Sequence, residues 1–115
     1  AALPHLLKGG GSVVTVGSRI AQTGGAGASA YAVSKAAVLA LTRVLALENA
    51  PRGVRFNSVL PGTIDTPANR RAMGETHASE WTPPEDIART IVFLLSDESS
   101  PVTGAFIPVE GRSRP

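Results

Sequence analysis

The sequence predicts an α/β protein: a partial, doubly wound parallel sheet of about three strands with flanking helices. Three observations carry this. Apolar, β-branched runs of strand length stand at residues 12–16, 54–60 and 105–109, most of them bounded by glycine or proline. Helical periodicity fills the intervals, over 30–50 and 82–96. Strands that alternate with helices are joined by right-handed crossovers into a parallel sheet.

Taken in order, Ala1-Ala2-Leu3-Pro4-His5-Leu6-Leu7-Lys8 reads as the last turns of a helix, stopped by Gly9-Gly10-Gly11. Ser12-Val13-Val14-Thr15-Val16 reads as a buried strand. A polar, glycine-rich loop follows from 17 to about 29. Beyond it, Val33, Ala37, Ala40, Leu41, Val44, Leu45 and Leu47 give a broad apolar face at helical spacing, ended by Pro51-Arg52-Gly53. Residues 54–60 form the second strand, stopped by Pro61-Gly62. Residues 63–81 read as a loop with a short helix. In Thr82-Pro83-Pro84-Glu85, Thr82 can cap a helix, Pro83 fits its first turn and Glu85 completes a capping box. Ile87, Ile91, Leu94 and Leu95 then form its apolar stripe. Pro108 places the third strand at an edge.

A chain of 115 residues has the length of one domain. With 43% hydrophobic and 17% charged residues it is globular rather than disordered. Aromatics are 4%, so the core must be built from Val, Leu, Ile and Ala. The net charge is +2 with no Lys/Arg-rich run, which argues against a nucleic-acid partner. The absence of cysteine excludes disulfides and thiolate metal sites. No apolar run is read as approaching the roughly 20 residues of a membrane span. No membrane partner and a cytoplasmic location are therefore expected.

Tyr31 and Lys35 lie four apart at the start of the long helix and share one face. A nearby ammonium favours the phenolate form of a tyrosine. Ser18 falls at the C-terminal end of the first strand, thirteen residues before Tyr31. In open α/β sheets ligands bind outside those carboxyl ends. A hydroxyl there can donate to a carbonyl oxygen while the tyrosine transfers the proton. A Tyr-x-x-x-Lys pair alone says little; one strand-loop-helix unit that places all three residues says much more.

Val13-Val14-Thr15-Val16-Gly17-Ser18 followed by Tyr31-Ala32-Val33-Ser34-Lys35-Ala36-Ala37 resembles the active-site signature of the classical short-chain dehydrogenases/reductases. Asn57-Ser58-Val59-Leu60-Pro61-Gly62-Thr63-Ile64-Asp65-Thr66-Pro67 resembles that family's strand and Pro-Gly turn. Residues 93–104 resemble the helix and turn that lead to its last strand. The resemblance implies a Rossmann-like fold, NAD or NADP as cofactor, a small carbonyl or alcohol substrate and a homo-oligomer. It implies that Ser18 polarises the substrate oxygen and that Tyr31 is the general acid/base. Lys35 would assist Tyr31 and bind the nicotinamide ribose. Pro61, Gly62 and Ile64 would line the nicotinamide, with the Ile64 backbone on its carboxamide, and Thr66 would reach the carboxamide or a phosphate. Residues 66–81 would be the substrate lid, where Arg70 and Arg71 could meet an anion.

The sequence also departs from the family. Its glycine-rich phosphate loop, cofactor selector, Asn-Ala-Gly turn and helix asparagine have no counterpart here, so a C-terminal catalytic half in a single domain is expected. The usual closing Asp-Gly-Gly is replaced by Glu110-Gly111-Arg112. Gly25-Ala26-Gly27-Ala28-Ser29-Ala30 fits G-x-G-x-x-A, but about eight residues separate it from its strand. It is read as the loop between Ser18 and Tyr31. Two alternatives are a non-catalytic module that oligomerises through an exposed strand edge and the apolar helix, and a sugar-nucleotide epimerase or dehydratase. Positioning supplies about 7–11 kcal/mol of catalysis in two-reactant sites. Residues 1–115 alone, with no phosphate cradle to orient a dinucleotide, are thus expected to show no NAD(P)H turnover in a spectrophotometric assay.

Overall fold

The computed structural model describes residues 1–111. Arg112, part of the deviating closing motif, lies outside the described residues. In chain order the elements are α1 (Leu3–Leu6), β1 (Gly11–Val16), α2 (Ile20–Thr23), α3 (Ser29–Asn49), β2 (Val54–Pro61), α4 (Pro67–Met73), α5 (Pro84–Leu95) and β3 (Phe106–Val109). The strands form one parallel sheet in the order β1-β2-β3, the α/β architecture predicted. Register pairs Gly11 with Val54 and Val16 with Val59, then Ser58 with Phe106 and Pro61 with Val109. A parallel pair needs a long crossover rather than a tight turn. α3 supplies the first and α5 the second.

β2 is the buried strand. All its residues except Arg55 are buried, and Val59 and Leu60 keep no exposed surface. Its side chains alternate between two layers. Val54 and Phe56 pack with Ala46 of α3 and with Leu3, Leu6 and Leu7. Val59 packs with Ile87 and Leu94 of α5. Each fully buried Val or Leu contributes about 1.5–3 kcal/mol, so β2 concentrates the stabilisation of both layers.

Polar side chains in these layers are bonded. The Thr15 and Thr42 hydroxyls lie 2.8 Å apart, and Thr42 also donates to the Val38 carbonyl. Asn57 donates to the Val102 carbonyl and accepts from the Ala105 amide, which fixes the turn before β3. The Arg55 guanidinium donates to the carbonyls of Ser96, Ser99 and Val102, so a cation sits at the negative end of α5. Among the described residues no buried side-chain nitrogen or oxygen lacks a partner.

Four expectations are corrected. β1 is half-buried rather than buried, because among the described residues it has a partner on one side alone. α3 buries Leu39, Thr42, Ala46 and Asn49, so the face marked by Val33, Leu41, Val44 and Leu47 points to solvent. Apolar spacing located the helix but named the wrong side, since two buried positions are polar residues bonded to carbonyls one turn earlier. Thr82 does not cap α5. Pro83 is the N-cap and Pro84 opens the helix, while the buried Thr82 hydroxyl donates to the Val109 carbonyl. Finally, Ser29–Arg52 is long and apolar enough, by length and composition, to cross a membrane. Its alanines and widely spaced charges give that hydropathy; in the fold the helix is the crossover between two hydrogen-bonded strands.

Candidate active site

The carboxyl ends of the three strands form one rim. Gly17, just past β1, donates to the Val59 carbonyl, Arg19 to that of Pro61, and Gly62 to that of Val109. A side chain at Gly17 would force the buried Leu60 and Leu39 to shift. A Cβ there would lie 2.7 Å from Leu60 Cδ2 and 2.9 Å from Leu39 Cδ2. This close approach lets β1 run under α3 and deliver Ser18 to the rim.

A cleft of about 460 Å³ opens above it, lined by Ser18, Tyr31, Lys35, Pro61, Gly62 and Ile64 among others. Six of the seven residues given a catalytic or cofactor role from the sequence thus share one cavity. Tyr31 is the third residue of α3 and is half exposed. Lys35 Nζ sits 5.8 Å from the centroid of the Tyr31 ring and donates to the Val16 carbonyl at 3.2 Å. The strand end therefore holds the ammonium beside the ring. Ser18 Oγ accepts from the Ile20 amide at 3.4 Å. Its hydroxyl proton has no acceptor among the bonds observed for the described residues.

Thr66 stands outside the cleft. Its hydroxyl caps α4 by accepting from the Asn69 amide. The Asn69 side chain donates to the Ile64 carbonyl at 2.8 Å and, with Met73 one turn on, faces the cleft from α4. Arg70 is engaged rather than free for an anion. It binds the Asp65 carboxylate through Nε at 2.6 Å and Nη2 at 2.8 Å, with Glu75 at 3.6 Å. Its hydrogen bonds hold the Asp65 carboxyl below its ordinary range, against the opposing effect of desolvation. Arg71 is exposed.

Sequence reasoning passed over Arg19, Ile20, Asn69 and Met73, which also line the cleft. Arg19 and Ile20 directly follow Ser18, so adjacency was their signal. Asn69 and Met73 are spaced one helical turn apart from the cap at Thr66. The ion pair between Arg19 Nε and Glu110 Oε1 joins residues 91 apart and leaves no local signal.

Comparison with known proteins gives a consistent set of relatives. A family model described as enoyl-(acyl carrier protein) reductase matches residues 1–111. The 3-oxoacyl-(acyl-carrier-protein) reductase of Thermotoga maritima is 39% identical over 118 residues, covering 95% of this chain and 48% of that protein. The meso-2,3-butanediol dehydrogenase of Serratia marcescens is 40% identical, covering 96% and 47%. Among solved structures, a short-chain dehydrogenase/reductase family oxidoreductase of Burkholderia thailandensis superposes with a TM-score of 0.83 at 31% identity, covering 95% and 47%. A candidate gluconate 5-dehydrogenase of Beutenbergia cavernae, solved with NADP at low occupancy, gives 0.83 at 36%, covering 93% and 47%. The chain spans about half the length of the curated relatives it matches.

The Asp65–Arg70 pair predicts a pH dependence. A depressed carboxyl contributes stability that is full above its unfolded value, near 3.8, and is lost as pH falls through the lower folded value. Thermal melts should show Asp65→Asn less stable than the wild type at neutral pH, with the gap closing below pH 3.8.

Proposed function

Because the chain belongs to the short-chain dehydrogenase/reductase family, we propose that its protein is an oxidoreductase passing hydride between NAD or NADP and a small alcohol or carbonyl substrate. The observation that carries this reading is the convergence of Ser18, Tyr31 and Lys35 on one cleft at the carboxyl ends of the strands. Ligands of open α/β sheets bind there.

The residues fit a nicotinamide. The cleft falls in the range of about 300–1,000 Å³ typical of small-molecule sites. Its floor, Pro61-Gly62, presents little side chain, and the Lys35 ammonium keeps two protons beyond its bond to Val16. When bound, the nicotinamide supplies or accepts the hydride. Ser18 donates its hydroxyl proton in a hydrogen bond to the substrate oxygen. Tyr31 gives a proton to that oxygen in reduction and takes it in oxidation. Lys35 stabilises the negative charge that develops on the phenol oxygen and hydrogen-bonds the nicotinamide ribose. Pro61, Gly62 and Ile64 line the ring. The Ile64 carbonyl already accepts from Asn69, so its amide is the group offered to the carboxamide. Thr66 keeps its hydroxyl proton free of the capping bond and can extend it to the carboxamide or a phosphate. α4 serves as the lid, with Asn69 and Met73 towards substrate.

Self-association belongs to the same reading. Val33, Leu41, Val44 and Leu47 are 48–70% exposed along one side of α3, a contiguous apolar surface of the kind that marks an interface. A second copy of the chain is the proposed occupant.

Two measurements test these statements. Tyr31→Phe in the full-length protein should lower turnover by about 10²–10⁴-fold while cofactor fluorescence titration still reports binding; turnover near the wild-type rate overturns the assignment. Leu41→Glu combined with Leu47→Glu should shift sedimentation to a smaller species, and an unchanged mass would remove the interface from α3.

A further inference from the structure

We propose that Arg19 and Glu110 form a latch that positions Ser18 by tying the exit of β1 to the exit of β3. The catalytic consequence rests on the oxidoreductase reading above; the latch itself rests on geometry. β1 and β3 are not neighbours, and with β2 between them their axes lie roughly 10 Å apart. The two side chains bridge that gap across the end of β2, where Pro61 and Gly62 form the cleft floor. Arg19 directly follows Ser18. Its amide donates to the Pro61 carbonyl at 3.1 Å, its Nε donates to Glu110, and its Nη1 donates to Gln22 Oε1 at 2.8 Å. Glu110 directly follows the last residue of β3.

The site needs such a brace. The bond that Ser18 Oγ makes, from the Ile20 amide, is long at 3.4 Å. The backbone link from β2 to β3 at the rim, Gly62 to Val109, is equally long. The Arg19 and Glu110 side chains are 21% and 18% exposed, so the pair is less screened than a surface ion pair. Arg19 lines the cleft, yet its charge faces a carboxylate. The guanidinium therefore acts as a positioning group and not as a receptor for a substrate anion.

Hydrogen exchange and steady-state kinetics on the intact protein test the latch. Arg19→Met and Glu110→Gln should each speed exchange of the amides at 18–24 and 109–111 by about tenfold, and the double variant should fall clearly short of the two effects combined. Arg19→Lys, which keeps the charge, should restore part of the protection. kcat should fall about tenfold with KM for the nicotinamide cofactor unchanged, a split that general loss of structure would not produce. Wild-type exchange in both single variants, or effects that simply add, would overturn the latch. Wild-type protein that transfers no hydride would instead overturn the oxidoreductase reading, and the exchange data would decide the latch alone.

Discussion

The parallel pairing of β1 with β2 sets the geometry from which the rest follows. Strands running the same way end on the same side, so Gly17, Pro61 and Val109 come to one rim although 92 residues of chain separate the first from the last. The crossover that parallel pairing demands is α3, whose first turns come back beside the end of β1 after the intervening segment 17–28. Tyr31 and Lys35 occupy that first stretch, which brings them to the end of the strand that carries Ser18. The bond from Lys35 to the Val16 carbonyl pins the junction. Moving the β1 register by one residue would send Val13 and Val14 to the opposite faces and break both hydrophobic layers.

Hydrophobic periodicity made the three strands, α3 and α5 legible, because each carries an apolar run or stripe at its own period, although the stripe on α3 is exposed. It failed where polar residues are buried. Thr42 and Asn49 face the sheet because their side chains bond to carbonyls one turn earlier, and that removes the burial penalty hiding them from an apolar count. Thr82 looked like a cap for a similar reason. Its hydroxyl is needed more by the Val109 carbonyl at the rim, and two prolines can open α5 without a side-chain cap. The cleft was legible through Ser18, Tyr31, Lys35 and the Pro-Gly turn. Its long-range ties, Arg19 with Glu110 and Asn57 with the turn before β3, were not, since a spacing of tens of residues carries no periodic signal.

Charge is arranged so that the cleft keeps Lys35 within reach while neighbouring cations are occupied. Arg70 is held by Asp65 beside the base of α4, and Arg19 is held by Glu110. Cation–π contact adds a further tie, with the Arg43 guanidinium 5.2 Å from the Phe106 ring centroid, linking α3 to the edge strand β3.

The partner of Gly11 in the sheet is Val54, 43 residues later. At ribosomal speeds of roughly 5–20 residues per second, β1 waits about 2–9 s for its neighbour to be synthesised. Throughout that interval the edge of valine-rich β1 that will face β2 stays unpaired in the nascent chain. The Ser18 corner gains its support from β3 later still, when Glu110 emerges. Assembly of the cleft is thus a late event in the life of the chain, and the interval before it is when chaperone capture and mispairing compete with folding.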